Sequence, residues 1–204
     1  MQLLHTLASP PEVPGLIRPK LLLSQGALDM IATYVNTPVA TEINGFGFIG
    51  RVGSDVFFVA SAQDVFITQQ TVTAGSAHVN GSAYALALDH AVECGRDAEL
   101  RLQWHSHPSD AYFSPTDMTN IDNFGNAGGE WFISLVTNRD GDIHARFDRF
   151  RPERFGVEMQ VQLYREVDAG LEARAREDVE KLVKTFGGGK RPRGGVVLSG
   201  TTTK

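Results

Sequence analysis

Apolar and polar positions repeat along this chain with two periods, and each stretch where one period holds predicts an element. Leu100, Leu102 and Trp104 alternate with Arg101 and Gln103, which predicts a strand with one buried face running directly into His105. Residues 41–50 read as an earlier strand, with Phe46 and Phe48 on one face and Gly45 and Gly47 between them, where glycine marks close backbone approach. Further strands are expected over residues 55–60 and 64–72, the first entered by a hairpin turn at Arg51–Ser54 that contains Gly53. Residues 131–138 and 142–150 read as a hairpin around Asn138 to Gly141.

The helical period appears four times. Ser24 reads as an N-cap ahead of Ala27, Met30, Ile31 and Tyr34, and that helix ends near Asn36-Thr37-Pro38. Ser82 reads as the cap of a second helix with an apolar stripe of Tyr84, Ala85, Leu88, Ala91 and Val92, stopped by Gly95. Ser114-Pro115 opens a third helix to about Phe124. Tyr164, Val167, Leu171, Val179, Leu182 and Phe186 recur at helical spacing and predict a C-terminal helix over 164–186. Residues 157–163 alternate as a strand does and stay open between the two periods. Strands and helices interleave with hairpins among the strands, so the expected class is a mixed α/β domain. The expected organisation is an extended, proline-bearing lead-in over 1–20, a domain over 21–163, the helix over 164–186 and a glycine-rich flexible tail over 187–204.

Composition narrows the function classes. A hydrophobic content of 42% and a charged content of 21% suit a globular domain with a real core. The net charge of -5 gives no electrostatic reason to expect nucleic acid as a partner. No apolar run approaches the ~20 residues of a membrane span. The single cysteine, Cys94, forbids an internal disulfide and fits a reducing compartment; with no signal-peptide pattern at the N-terminus, the cytoplasm is the expected location.

The chemistry concentrates in Trp104-His105-Ser106-His107-Pro108 and Ser114-Pro115-Thr116-Asp117. Two histidines two apart at a strand end can turn both rings to one side. A loop then leads to a carboxylate one turn into the next helix. Two imidazoles and a carboxylate suit Zn²⁺ and leave a fourth tetrahedral position for water, as in catalytic sites. The bland reading of the second segment is a helix cap, with Ser at N-cap, Pro at N1 and an acid at N3. Ser114 can serve as both cap and catalyst.

His105-x-His107-Pro108 followed by Ser114-x-x-Asp117, together with the earlier Glu42-Ile43-Asn44-Gly45, resembles the JAMM motif of the JAB1/MPN/Mov34 metalloenzymes, in a prokaryotic-type JAB domain. The resemblance covers roughly residues 20–150. It implies a mixed, curved β-sheet flanked by helices. It implies zinc held by His105, His107 and Asp117, with Glu42 as general base and then acid, and Ser114 steadying the tetrahedral intermediate. It also implies hydrolysis of an amide bond after the glycine tail of a ubiquitin-like or sulfur-carrier protein. Two alternatives stand beside it: a non-catalytic MPN scaffold for protein assembly, and a zinc hydrolase of short peptides or small amides. The 164–186 helix offers a surface for homodimerisation in any of the three.

Overall fold

Strands here are short and mostly buried on at least one face, so they must stack in layers to cover their apolar side chains. The computed structural model describes residues 2–6, 18–36, 42–73, 76–78 and 81–165, all within the unit Met1–Glu166. In chain order the elements are β1 (Gln2–Thr6), β2 (Lys20–Ser24), α1 (Gln25–Val35), β3 (Asn44–Phe48), β4 (Gly50–Val52), β5 (Val56–Val59), β6 (Val65–Phe66), β7 (Thr71–Thr73) and β8 (Ser76–His78). They continue with α2 (Gly81–Glu93), β9 (Leu100–Ser106), α3 (Pro115–Asn126), β10 (Trp131–Thr137), β11 (Ile143–Arg149), β12 (Phe155–Glu158) and β13 (Gln160–Arg165). One sheet has the order β1-β13-β2-β5-β4 and a second the order β12-β11-β10-β9-β3-β6, with β7 and β8 paired on their own. Parallel and antiparallel pairs occur in both large sheets, so the protein is a mixed α/β fold with helices flanking two mixed sheets.

The two sheets share one core. Leu21, Leu23 and Val59 of the first meet Leu102, Trp104 and Ile133 of the second, with Ala27 and Ile31 of α1 packed among them. Fully burying an aliphatic or Phe side chain of this kind contributes roughly 1.5–3 kcal/mol. The opposite face of the second sheet carries Phe46, Phe48 and Leu100 and is covered by Ala83, Ala87 and Ala91 of α2. Alongside, α3 lays Phe124 flat on Phe132 of β10, with ring centroids 4.2 Å apart, and edge-on to Tyr84 of α2 at 5.2 Å. This helix-covered face is the one that bears the candidate site.

Several expectations meet the structure directly. Ser24 caps α1, accepting from the Ala27 amide at 3.1 Å. The hairpin of β10 and β11 is antiparallel as expected. Glycines in β3 mark close approach. A Cβ on Gly45 would lie 2.3 Å from the Trp104 ring, and one on Gly47 would lie 2.8 Å from Leu102 Cδ2. Gly95 ends α2 region at φ +67.

Other elements differ, each for a physical reason. The strand read over 41–50 breaks at Ile49: β3 pairs in the second sheet and β4 in the first, so the chain crosses between sheets there. The Ile49 amide donates to Glu99 O at 2.8 Å and its side chain enters the shared core, whereas Phe48 stays on the opposite face. The strand read over 64–72 is two short pieces, β6 and the start of β7. The stripe read on α2 is rotated. Ala83, Ala87 and Ala91 are buried, while Leu88 is 38% and Val92 60% exposed. A helix lying close over an aromatic sheet face needs small side chains at the contact, and spacing alone does not report that. The face of β9 read as polar is also covered, since Gln103 and His105 are buried beneath α3.

At the N-terminus, Gln2–Thr6 of the extended lead-in forms a strand paired with β13. Residues 164 and 165, assigned to a helix by their spacing, belong to β13, which pairs with β1 on one side and β2 on the other. Backbone pairing on both edges decides for the strand, and the Tyr164 hydroxyl donates to Val59 O at 3.1 Å. The rest of the 164–186 helix and the 187–204 tail lie outside the described residues. No helix among the described residues is long and apolar enough to cross a membrane.

Candidate metal centre

β9 delivers both histidines. It lies between β3 and β10, pairing antiparallel with the first and parallel with the second, so its C-terminal end is held on both edges. His105 pairs with Asn44 and with Val136. Beyond the strand the His107 amide donates to Thr137 O at 2.8 Å, which prolongs the parallel ladder far enough to fix the second imidazole. The rings sit 4.9 Å apart, with Nε2 to Nε2 at 3.2 Å.

α3 supplies the third group. Ser114 is its N-cap, Pro115 stands in its first turn and Asp117 at N3 completes a capping box. The Ser114 hydroxyl and amide both donate to Asp117 Oδ2 at 2.7 Å, and the Asp117 amide donates back to Ser114 Oγ at 3.3 Å. Asp117 Oδ1 lies 3.2 Å from His105 Nε2, and Oδ2 lies 3.4 Å from His107 Nε2. The cap and the cluster are therefore not alternatives: one carboxylate serves the cap through Oδ2 and leaves Oδ1 facing His105. Burial opposes ionisation of Asp117. The hydrogen bond and charge of His105, joined by the Ser114 donors, outweigh it and hold the carboxyl well below the usual carboxylate range.

These three residues form a group whose ligand atoms lie within 4.8 Å of one another and can hold a metal ion. Metal–nitrogen and metal–oxygen bonds of roughly 2.0–2.1 Å place neighbouring ligand atoms about 3.3 Å apart. The two imidazole nitrogens, 3.2 Å apart, match that spacing, while the carboxylate meets His105 through Oδ1 at 3.2 Å and His107 through Oδ2 at 3.4 Å.

Glu42 stands on the segment entering β3 and is half-buried. Two side chains stitch this segment beside the cluster. Ser106, the residue between the histidines, accepts from the Ile43 amide at 3.0 Å through Oγ and donates its own amide to Ile43 O at 2.9 Å. Gln70 receives the Asn44 amide at 2.9 Å and donates to Asn44 O at 2.8 Å, as a neighbouring strand would. Asn44 pairs with His105 in an antiparallel register and Ile43 bonds Ser106, so Glu42 stands one residue beyond the last bonded position.

Supporting residues came into view only in three dimensions. Asn138, expected only as a turn residue, donates to Ser109 O at 2.7 Å and to Asp142 at 2.9 Å, tying the loop after His107 to the β10–β11 turn. Tyr112, 55% exposed, stands edge-on to His107 at 5.4 Å and walls one side of the cluster. Phe113 borders His105 at 6.4 Å. Asn138 two residues ahead of Asp140-Gly141 was the one sequence signal among these, and it reported the turn rather than the tether.

No protein-family model matches the chain, and no curated protein matches it. Among solved structures it is similar to the solution structure of protein DSY2949 from Desulfitobacterium hafniense. That similarity has a TM-score of 0.51 at 14% identity and covers 72% of this chain and 95% of the other. The likeness is one of fold. It carries no statement about chemistry, which rests on the residues described above.

Proposed function

We propose that this protein is a zinc-dependent peptidase of the JAMM/MPN type that hydrolyses an amide bond. The observation that carries the reading is the convergence of His105 Nε2 and His107 Nε2, 3.2 Å apart, on the Asp117 carboxylate, whose Oδ1 faces the first and Oδ2 the second. Zinc in that position would supply a Lewis acid and lower the pKa of a bound water towards ~7.

The chain's own residues would do the rest. Glu42, one residue ahead of the Ile43–Ser106 bonds, takes the proton of the attacking water and returns it to the leaving amine. Ser114 keeps Asp117 ionised and oriented through Oδ2, and its hydroxyl would steady the oxyanion by turning its proton from that carboxylate to the substrate. Tyr112 narrows the approach, which favours a substrate with a bare backbone at the cleavage point, such as the glycine tail of a ubiquitin-like or sulfur-carrier protein.

Zinc stoichiometry of the purified protein tests the reading, with His107→Ala as control. About one zinc per chain, absent in the control, is the expected result. No zinc after reconstitution would remove the hydrolase and favour an MPN scaffold instead.

A further inference from the structure

Beside the cluster, a small cavity lies between β9, β10 and α3. Gln103, His105, Phe113, Asp117, Asn120, Ile121 and Ser134 line it. Ser134 and Gln103 are direct partners in the parallel pairing of β10 with β9, so both face the same side of the sheet as His105. Ser134 is only 4% exposed, and its hydroxyl has no hydrogen-bond partner among the described residues. A buried hydroxyl left unpaired loses its hydration with nothing in return. Its persistence at the wall of a cavity therefore points to a partner inside the cavity.

His105 supplies the other half of the argument. Its Nε2 faces His107 and Asp117. Nδ1 is then the nitrogen left to be satisfied elsewhere, and ring orientation and tautomer depend on what satisfies it. Metal-binding imidazoles are held by a partner on the second nitrogen, commonly a carboxylate, a carbonyl or water. The cavity measures about 10 Å³, close to the space one water requires, and polar side chains of Gln103, His105, Asp117, Asn120 and Ser134 line it beside Phe113 and Ile121.

We propose that Ser134 is a positioning residue: it anchors one ordered water in this cavity, and that water accepts the Nδ1 proton of His105 and fixes the imidazole with Nε2 unprotonated and turned to the metal. Gln103 and Asn120 complete the water's partners. The inference rests on the zinc reading above and deepens it.

Ser134→Ala tests it, through zinc titration with a chromophoric competitor and long-range ¹H–¹⁵N spectra of the imidazoles in the zinc-loaded protein. Zinc affinity should fall roughly 10–100-fold, and the slowly exchanging Nδ1 proton of His105 should be lost or shifted, while that of His107 holds. Unaltered zinc-loaded protein should show that Nδ1 proton in contact with water, a measurement that needs no variant. Equal zinc affinity in Ser134→Ala, or an unchanged His105 spectrum, would overturn the inference and leave the metal reading standing. Failure of the unaltered chain to bind zinc would remove both.

Discussion

Ser114 and Asp117 exchange three hydrogen bonds at the mouth of α3, and the carboxylate oxygen that receives two of them is the one 3.4 Å from His107 Nε2. Helix capping and metal-cluster geometry are thus held by the same pair. Ser114→Ala should cost about 0.5–2 kcal/mol as a lost cap. It should also weaken zinc binding, because Asp117 loses the donors that orient it. Thermal melts of the metal-free variant and a zinc titration check the two effects separately. A melt shifted downward with zinc affinity unchanged would confine Ser114 to the cap.

Glu42 enters β3 on a segment stitched by Ser106 and Gln70 rather than as part of the cluster itself. Glu42→Gln should therefore keep about one zinc per chain. Its turnover of a ubiquitin-like fusion ending in glycine should fall by roughly 10²–10⁴, the usual contribution of a positioned acid–base group. Zinc lost along with activity would make Glu42 a ligand instead of a base.

Gly45 lies against the Trp104 ring so closely that any side chain must displace it. Trp104 is fully buried, stacks on Tyr34 of α1 at 5.8 Å and immediately precedes His105. Gly45→Ala should destabilise the fold by about 1–3 kcal/mol, the range for overpacking a tight core. Urea denaturation gives the value. Because the displaced ring adjoins His105, zinc affinity should fall as well. A stability loss below ~0.5 kcal/mol would mean that the core yields there more readily than its packing suggests.

Local signals carried a large share of the architecture. The cap at Ser24, the alternation leading into His105, the Ser114-Pro115 helix start and the Asn138 to Gly141 turn all act within a few residues, so spacing alone reports them. The grouping of His105, His107 and Asp117 was legible for the same reason: a strand end, a short loop and a first helical turn leave the chain little freedom over so few residues.

What the sequence determined by itself is therefore the local elements and the short-range geometry of the candidate ligands. Only the tertiary structure decided which faces those elements bury. It set Ala83, Ala87 and Ala91 inward and left Val92 outside, split the strand read over 41–50 at Ile49 between two sheets, and covered Gln103 with α3. It also brought Asn138 to Ser109, and Ser134 to the cavity beside His105. Each of these depends on how near a distant layer comes, and that distance is set by packing across the fold, where sequence periodicity carries no information.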